Sequence, residues 1–199
     1  MTTAPQTDPF SADSAKAAQF LGGGTVAAKF PKPGFTVEGT IIAWRMAPQT
    51  DMESGELLFW EGRDKVEQSK LRNPATAKPV EQLVIELQGE PTGITWETNR
   101  YVEKPLPDDD GVRTLYVKGS LQFAVGKAMR EAGKPNQAPE IGAYLKVQRG
   151  QDTKRPGSKY FSYSYVAQYT PAEQNTKAAG NFLAQGEGGG QAVDPFGGN

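Results

Sequence analysis

Residues 112–132 read VRTLYVKGSLQFAVGKAMREA, and the fold is decided there. The first part alternates. Leu115 and Val117 take one side, while Thr114, Tyr116 and Lys118 take the other, which is the period of a strand. From Leu121 the period changes. Leu121, Val125, Ala128 and Ala132, supported by Ala124 and Met129, form an apolar stripe at helical spacing. Ser120 is placed to cap the helix start, Gly133 to end it in the left-handed conformation, and Pro135 to prevent continuation. The stretch is a short strand running directly into the one convincing helix between the two ends of the chain.

Two strand-like segments precede this unit and two follow it. In 34–46, Phe35, Val37, Ile41 and Ala43 share a face with Gly39 in phase, and Thr36, Glu38, Thr40, Ile42 and Trp44 share the other. Gly39 predicts the coil or bulge that lets a strand bend tightly. In 80–88, Leu83, Ile85 and Leu87 point inward. In 141–148 the core face is Ile141, Ala143, Leu145 and Val147. In 160–169, Phe161, Tyr163, Tyr165, Ala167 and Tyr169 share one face. Strand, strand, strand, helix, strand, strand is the chain order of an OB-fold, a small barrel that commonly binds single-stranded nucleic acid. The expectation is therefore all-β: a five-stranded OB-fold-like Greek-key barrel with one helix between strands three and four. It occupies 31–170, between a flexible tail, 1–30, and a disordered Gly-rich tail, 171–199. A long insertion, 47–79, carries the strand-like run Leu57, Leu58, Phe59 and Trp60. A second irregular segment, 89–111, carries Ile94, Thr95 and Trp96. Connections this long are usually functional or disordered.

Composition narrows the chemistry. The chain has 199 residues, of which only 37% are hydrophobic, with 23 Gly and 15 Pro, and flexible ends explain this better than a weak core. The formal net charge is −1, so a nucleic-acid site must come from a local basic face. Cys and His are both absent. That excludes disulfides, zinc sites built on Cys or His, Ser-His-Asp triads and cysteine nucleophiles. No phosphate-binding loop or dinucleotide fingerprint occurs. The run Asp108, Asp109, Asp110 reads as a solvated turn, since three consecutive carboxylates do not readily face one ion. No catalytic residue, metal or cofactor is assigned. The N-terminus has no apolar core of a secretory signal, and no run reaches membrane-spanning length, so a cytoplasmic location is expected.

The candidate binding residues are aromatic and basic. Trp44, Tyr116 and Lys118 fall on the non-core side of their strands, with Arg45 and Arg113 at or near strand ends. Bases stack on exposed rings while cations follow the phosphates, and stacking is worth roughly 1–3 kcal/mol per base. The loop between strands one and two holds Trp60 with Arg63, Lys65, Lys70, Arg72 and Lys78, diluted by Glu61, Asp64 and Glu67. The loop between strands four and five holds Arg149, Lys154, Arg155 and Lys159. In OB-folds these two loops commonly clamp nucleic acid. The plainer reading is that Trp44 and Tyr116 pack beneath the insertion and that the charged loops are simply solvated. Near the C-terminus, Asp194, Pro195 and Phe196 repeat Asp8, Pro9 and Phe10 and offer a short docking motif. It is similar to the acidic tip of bacterial single-strand-binding proteins, although Gly197, Gly198 and Asn199 follow the Phe and remove the terminal carboxylate of that tip.

Several blocks carry a resemblance. They are Gln49-Thr50-Asp51, Ser54-Gly55-Glu56, Trp60, Gln82-Leu83-Val84-Ile85, and the segment from Asp108 through Leu115-Tyr116-Val117-Lys118-Gly119. Over roughly 34–170 the chain resembles a family of small proteins from actinobacterial phages and prophages, some described as single-stranded-DNA-binding. The resemblance implies a phage replication or recombination accessory protein acting in the host cytoplasm, and it supplies no catalytic residues. The expectation is a non-enzymatic single-stranded-DNA-binding protein with no membrane contact. Replication or recombination proteins are expected as partners through the C-terminal tail. Homo-oligomerisation and the choice between DNA and RNA stay open. The alternative is an OB-like protein–protein adaptor or structural phage component without nucleic-acid binding. An enzyme is the weakest reading, because general acid–base work needs carboxylates or Lys gathered in a cleft.

Overall fold

The alternation of 112–118 and the helical stripe that follows translate into one strand and one helix. The computed structural model describes residues 25–51, 53–97, 101–154 and 161–175. In chain order the strands up to the helix are β1 (Val26–Ala27), β2 (Thr36–Pro48), β3 (Leu58–Glu61), β4 (Asp64–Glu67), β5 (Lys78–Pro79), β6 (Glu81–Gln88), β7 (Ile94–Trp96), β8 (Glu103–Pro105) and β9 (Val112–Val117). Helix α1 (Ser120–Glu131) comes next, then β10 (Tyr144–Arg149), β11 (Thr153–Lys154), β12 (Phe161–Ser162) and β13 (Tyr165–Thr170). Among the described residues the protein is built mostly of strands around one α-helix.

Helix α1 buries Leu121, Val125, Ala128 and Met129, the stripe read from the sequence. Its end is a Schellman motif. Gly133 sits at φ 78°, its N–H donates to Arg130 O at 3.0 Å, and the Lys134 N–H donates to Met129 O at 2.9 Å. The start differs from expectation. Ser120 is the first helical residue rather than the cap, and its hydroxyl donates to Tyr163 O at 2.6 Å, tying the helix to the loop before β13.

The main sheet runs β1-β9-β6-β2-β10-β13. The five predicted strands therefore lie in the order three, two, one, four, five, all antiparallel. The first strand is shared. Its first part, from Thr36 to Thr40, pairs with β10, and the stretch from Thr40 to Pro48 pairs with β6. Ile41, Ile85, Leu87, Leu115, Leu145 and Val147 fill the centre of the core and are almost fully buried. The expected closed barrel is not formed by hydrogen bonds: among the described residues β9 and β13 share no ladder.

Four local readings need correction. The bulge lies between Ile41 and Ala43 rather than at Gly39. Gly39 is needed for close approach instead, because a Cβ there would stand 2.5 Å from Gln88 O. Ile141 is 57% exposed, since Gly142 at φ 86° turns the chain before the strand begins. Thr114 is buried because β1 lies against it. The insertion is ordered as a small sheet, β4-β3-β5, which buries Leu58 beside Val80 through the bonds Leu58 N–H to Gln49 O and Val80 N–H to Leu58 O, both 2.8 Å.

The fourth correction concerns the N-terminal tail, whose last residues belong to the fold. β1 runs parallel to β9, the Ala28 N–H donates to Thr114 O at 2.8 Å, and the Thr25 and Thr114 hydroxyls touch. The Phe30 ring meets Tyr165 edge-on with centroids 5.2 Å apart, and its carbonyl accepts from Arg149 Nη1 at 2.6 Å. Removal of 1–24 is expected to leave the melting temperature unchanged. Removal of 1–30 is expected to cost at least about 1 kcal/mol, because a buried guanidinium loses an acceptor. Urea titration of the two truncations checks this, and equal midpoints would show that the segment adds nothing.

Candidate nucleic-acid interface

The unclosed seam between β9 and the start of β13 leaves a groove of about 500 Å³. Its polar and aromatic walls are Tyr101, Tyr116, Lys118, Arg149, Tyr163 and Tyr165, and the segment around Lys29 and Phe30 runs along it. Tyr101, Tyr116 and Tyr163 are 48%, 44% and 46% exposed, so each shows a substantial part of its ring to solvent. Lys29 and Lys118 contribute positive charge, the charge of Arg149 is shared with Asp152, and among the described residues no Asp or Glu lines the groove. On a chain of net charge −1, that is a locally cationic, aromatic surface.

The cationic surface continues onto the insertion. Trp60 on β3 faces Lys65 on β4 and Lys78 on β5 in register. The Lys65 ammonium stands 5.2 Å from the centroid of the half-exposed Trp60 ring and donates to Gln49 Oε1 at 2.8 Å. Partial burial, followed by the charge of Lys118, holds the Lys65 pKa below that of an ordinary lysine. Two like charges close enough to feel one another favour an anion that relieves them. At the foot of the groove Gln82 is buried. Its amide donates to Pro48 O at 3.3 Å, while its Oε1 has no partner.

The structure brings Tyr116, Lys118 and Arg149 to one groove, with Trp60 beside it through Lys65. Arg149 is only 6% exposed. It binds Asp152 in a fork, with Nε at 3.1 Å from Oδ1 and Nη2 at 2.8 Å from Oδ2, and its guanidinium carbon lies 4.1 Å from the Tyr163 ring centroid. The reason is parity: Arg149 continues the inward series of Leu145 and Val147 on β10. Tyr163, which the alternation puts on one face with Tyr165 and Tyr169, is half-exposed, unlike the buried Tyr169.

Other candidates stand elsewhere. Trp44 is 38% exposed, as expected, but the bulge in β2 puts it in register with Ile85 and Leu115 instead of on a face with Tyr116, and it does not line the groove. Arg45, exposed, registers with Val84 and through it with Tyr116, two strands away. Lys154 is exposed on β11 and does not line the groove. Arg155, Lys159, Asp194, Pro195 and Phe196 lie outside the described residues.

Arg113 lines a different cavity and is held by Asp109, with Nη1 at 2.7 Å from Oδ1 and Nη2 at 2.6 Å from Oδ2. The acidic run is thus not merely a solvated turn. The Asp109 side chain is 2% exposed and accepts the N–H groups of Thr92, Gly93 and Gly111. Its hydrogen bonds to Arg113 hold the carboxyl far below the usual carboxylate range. That second cavity, about 820 Å³, includes Phe35 and Trp96 edge-to-face at 5.4 Å, but also Glu38 and Glu90. It is larger than the groove, yet its carboxylates repel phosphates and its arginine is neutralised.

Tyr101, Tyr163 and Lys65 complete the groove and its extension. Residue type marked them, but only the tertiary arrangement gathers them. No helix among the described residues is long and apolar enough to cross a membrane. No protein-family model matches this chain, and no curated protein or solved structure matches it.

Proposed function

We propose that this protein binds single-stranded DNA in the groove between β9 and β13, on an OB-like framework whose barrel is left open at that seam. Bases stack on Tyr116, Tyr101 and Tyr163, and Lys118 and Lys65 hold the phosphates. The observation that carries this reading is a groove with three half-exposed tyrosines, Lys29 and Lys118 on its walls, and no Asp or Glu among its described lining residues. Sheet order and helix position support the OB-like framework, because a barrel of this order presents its third strand between the loops that follow its first and fourth strands. Single strands are preferred because a duplex keeps its base faces stacked on one another and unavailable to tyrosine rings. The reading is non-enzymatic: the chain is proposed to bind the strand without cutting or modifying it. Phage DNA replication or recombination in a host cytoplasm, with partner recruitment through Asp194, Pro195 and Phe196, belongs to the same proposal and rests on the resemblance over 34–170.

Fluorescence titration with an oligothymidylate and with a duplex of equal length, at two salt concentrations, tests this. The single strand is expected to bind more tightly, with affinity falling as salt rises. Each neutralised phosphate contributes about 0.7 to the log–log slope on single strands. Lys118→Gln is therefore expected to reduce the slope by about 0.7. Equal affinity for the duplex, or no binding at low salt, rules the reading out.

A further inference from the structure

The segment from Thr25 to Phe30 is a partition. Ala27, Ala28 and Lys29 line both the 500 Å³ groove and the 820 Å³ cavity. It is pinned at two places. At one, β1 makes a two-residue parallel ladder with β9, extended by Ala28 N–H to Thr114 O. At the other, the Phe30 carbonyl accepts from Arg149 Nη1 at 2.6 Å and the Phe30 ring leans on Tyr165. A ladder this short holds few residues against the entropy of release, the signature of a segment that opens locally before the core does.

Arg149 joins the partition to the binding surface. One guanidinium donates to the Phe30 carbonyl, forks onto Asp152, and lies over the Tyr163 ring. A phosphate arriving beside Tyr163 competes with a neutral carbonyl for the same donor, and a charge-assisted hydrogen bond is the stronger of the two. We propose that residues 25–30 are a displaceable strap: a bound strand draws Arg149 away from Phe30, the strap leaves β9, and the groove lengthens along the freed edge of that strand. The inference rests on the single-strand-binding reading above. It also assigns Arg149 a role that its burial otherwise denies, as a phosphate ligand whose donor is exchanged from Phe30 as the strap moves. The differential contact that such a switch requires is the Nη1 donor, held by Phe30 in one state and by phosphate in the other.

The chain has no cysteine, so a single engineered disulfide reports on the strap without competition. Ala27 and Thr114 are register partners, and the full-length double variant Ala27→Cys, Thr114→Cys locks the strap when oxidised. Oligothymidylates of increasing length are titrated against the oxidised and the reduced protein. The oxidised form is expected to occlude fewer nucleotides and to bind about tenfold more weakly or worse, since apparent affinity falls with the population of the competent state. Reduction is expected to restore both. Phe30→Ala, which keeps the carbonyl but removes the ring from Tyr165, is expected to associate faster with an unchanged site size. It carries the test alone if the disulfide does not form, and wild-type rates for it then overturn the strap. Equal site size and affinity in oxidised and reduced protein overturn the strap while leaving the binding reading intact. Absence of binding by the unmodified protein at low salt removes the binding reading and the strap with it.

Discussion

Asp109→Ala is expected to destabilise the fold by about 3–5 kcal/mol, the cost of stranding one partner of a buried ion pair. The carboxylate is almost wholly buried and receives both Nη groups of Arg113 together with three backbone N–H groups. Its removal leaves the Arg113 guanidinium with weaker partners, among them the Val112 carbonyl, the Thr92 hydroxyl and the nearby charge of Asp110, and loosens the turn that delivers the chain into β9. For a domain of ordinary stability, about 5–15 kcal/mol, that is a large share of the total. Asp109→Asn is expected to lie between the two, since it keeps an acceptor but loses the charge. The pH dependence has a fixed sign. The folded pKa of Asp109 is depressed, first by its hydrogen bonds to Arg113, so its stabilisation is fully present above the ordinary carboxylate range. It declines as pH falls below that range. Urea midpoints at neutral pH and near pH 3 check both statements. A loss below about 1 kcal/mol at neutral pH would mean that solvent replaces Arg113's partner at little cost.

Asp109 also shows what sequence reasoning misses. Three adjacent carboxylates look solvated because charge runs usually are, and nothing local says which one folds inward. The strand order and the helix were legible because period-two and period-3.6 patterns are local. The break in alternation within β2 was not, because a bulge is set by what the partner strand demands, and Gly39 drew attention to the wrong position. Burial of Arg149 was legible in principle: it continues the parity of Leu145 and Val147, and its charge obscured that. The groove itself could not be read from the sequence. Tyr101, Tyr116 and Tyr163 come from three separated segments and meet only because the seam stays open.

Tyr116→Ala is expected to weaken single-strand binding by about 5- to 150-fold, the value of one lost base stack of roughly 1–3 kcal/mol. The ring is 44% exposed and lies outside the main core, so the melting temperature is expected to change little. Tyr116→Phe keeps the stacking face and is expected to bind like the parent. Trp44→Ala is the contrast. Its ring, 38% exposed, stands in register with Ile85 and Leu115 and does not line the groove, so affinity is expected to stay unchanged. Oligonucleotide titration and thermal melting on the three variants separate these outcomes. If Tyr116→Ala binds like the parent while Trp44→Ala does not, the strand follows the other face of the sheet.

The placement of β1 has a consequence for biosynthesis. Its hydroxyl contact joins positions 89 apart in the chain, so the earliest described residues to leave the ribosome cannot dock until β9 has emerged. Until then the strap is a loose leader. The β2–β6 and β6–β9 ladders join nearer segments and form ahead of it, since joining distant segments costs more loop entropy than joining near ones, whereas the β2–β10 ladder joins segments farther apart still. A nascent chain stalled before residue 112 is therefore expected to expose the strap to protease. One stalled with β13 clear of the exit tunnel is expected to protect it, because Phe30 is then held by Arg149 and Tyr165.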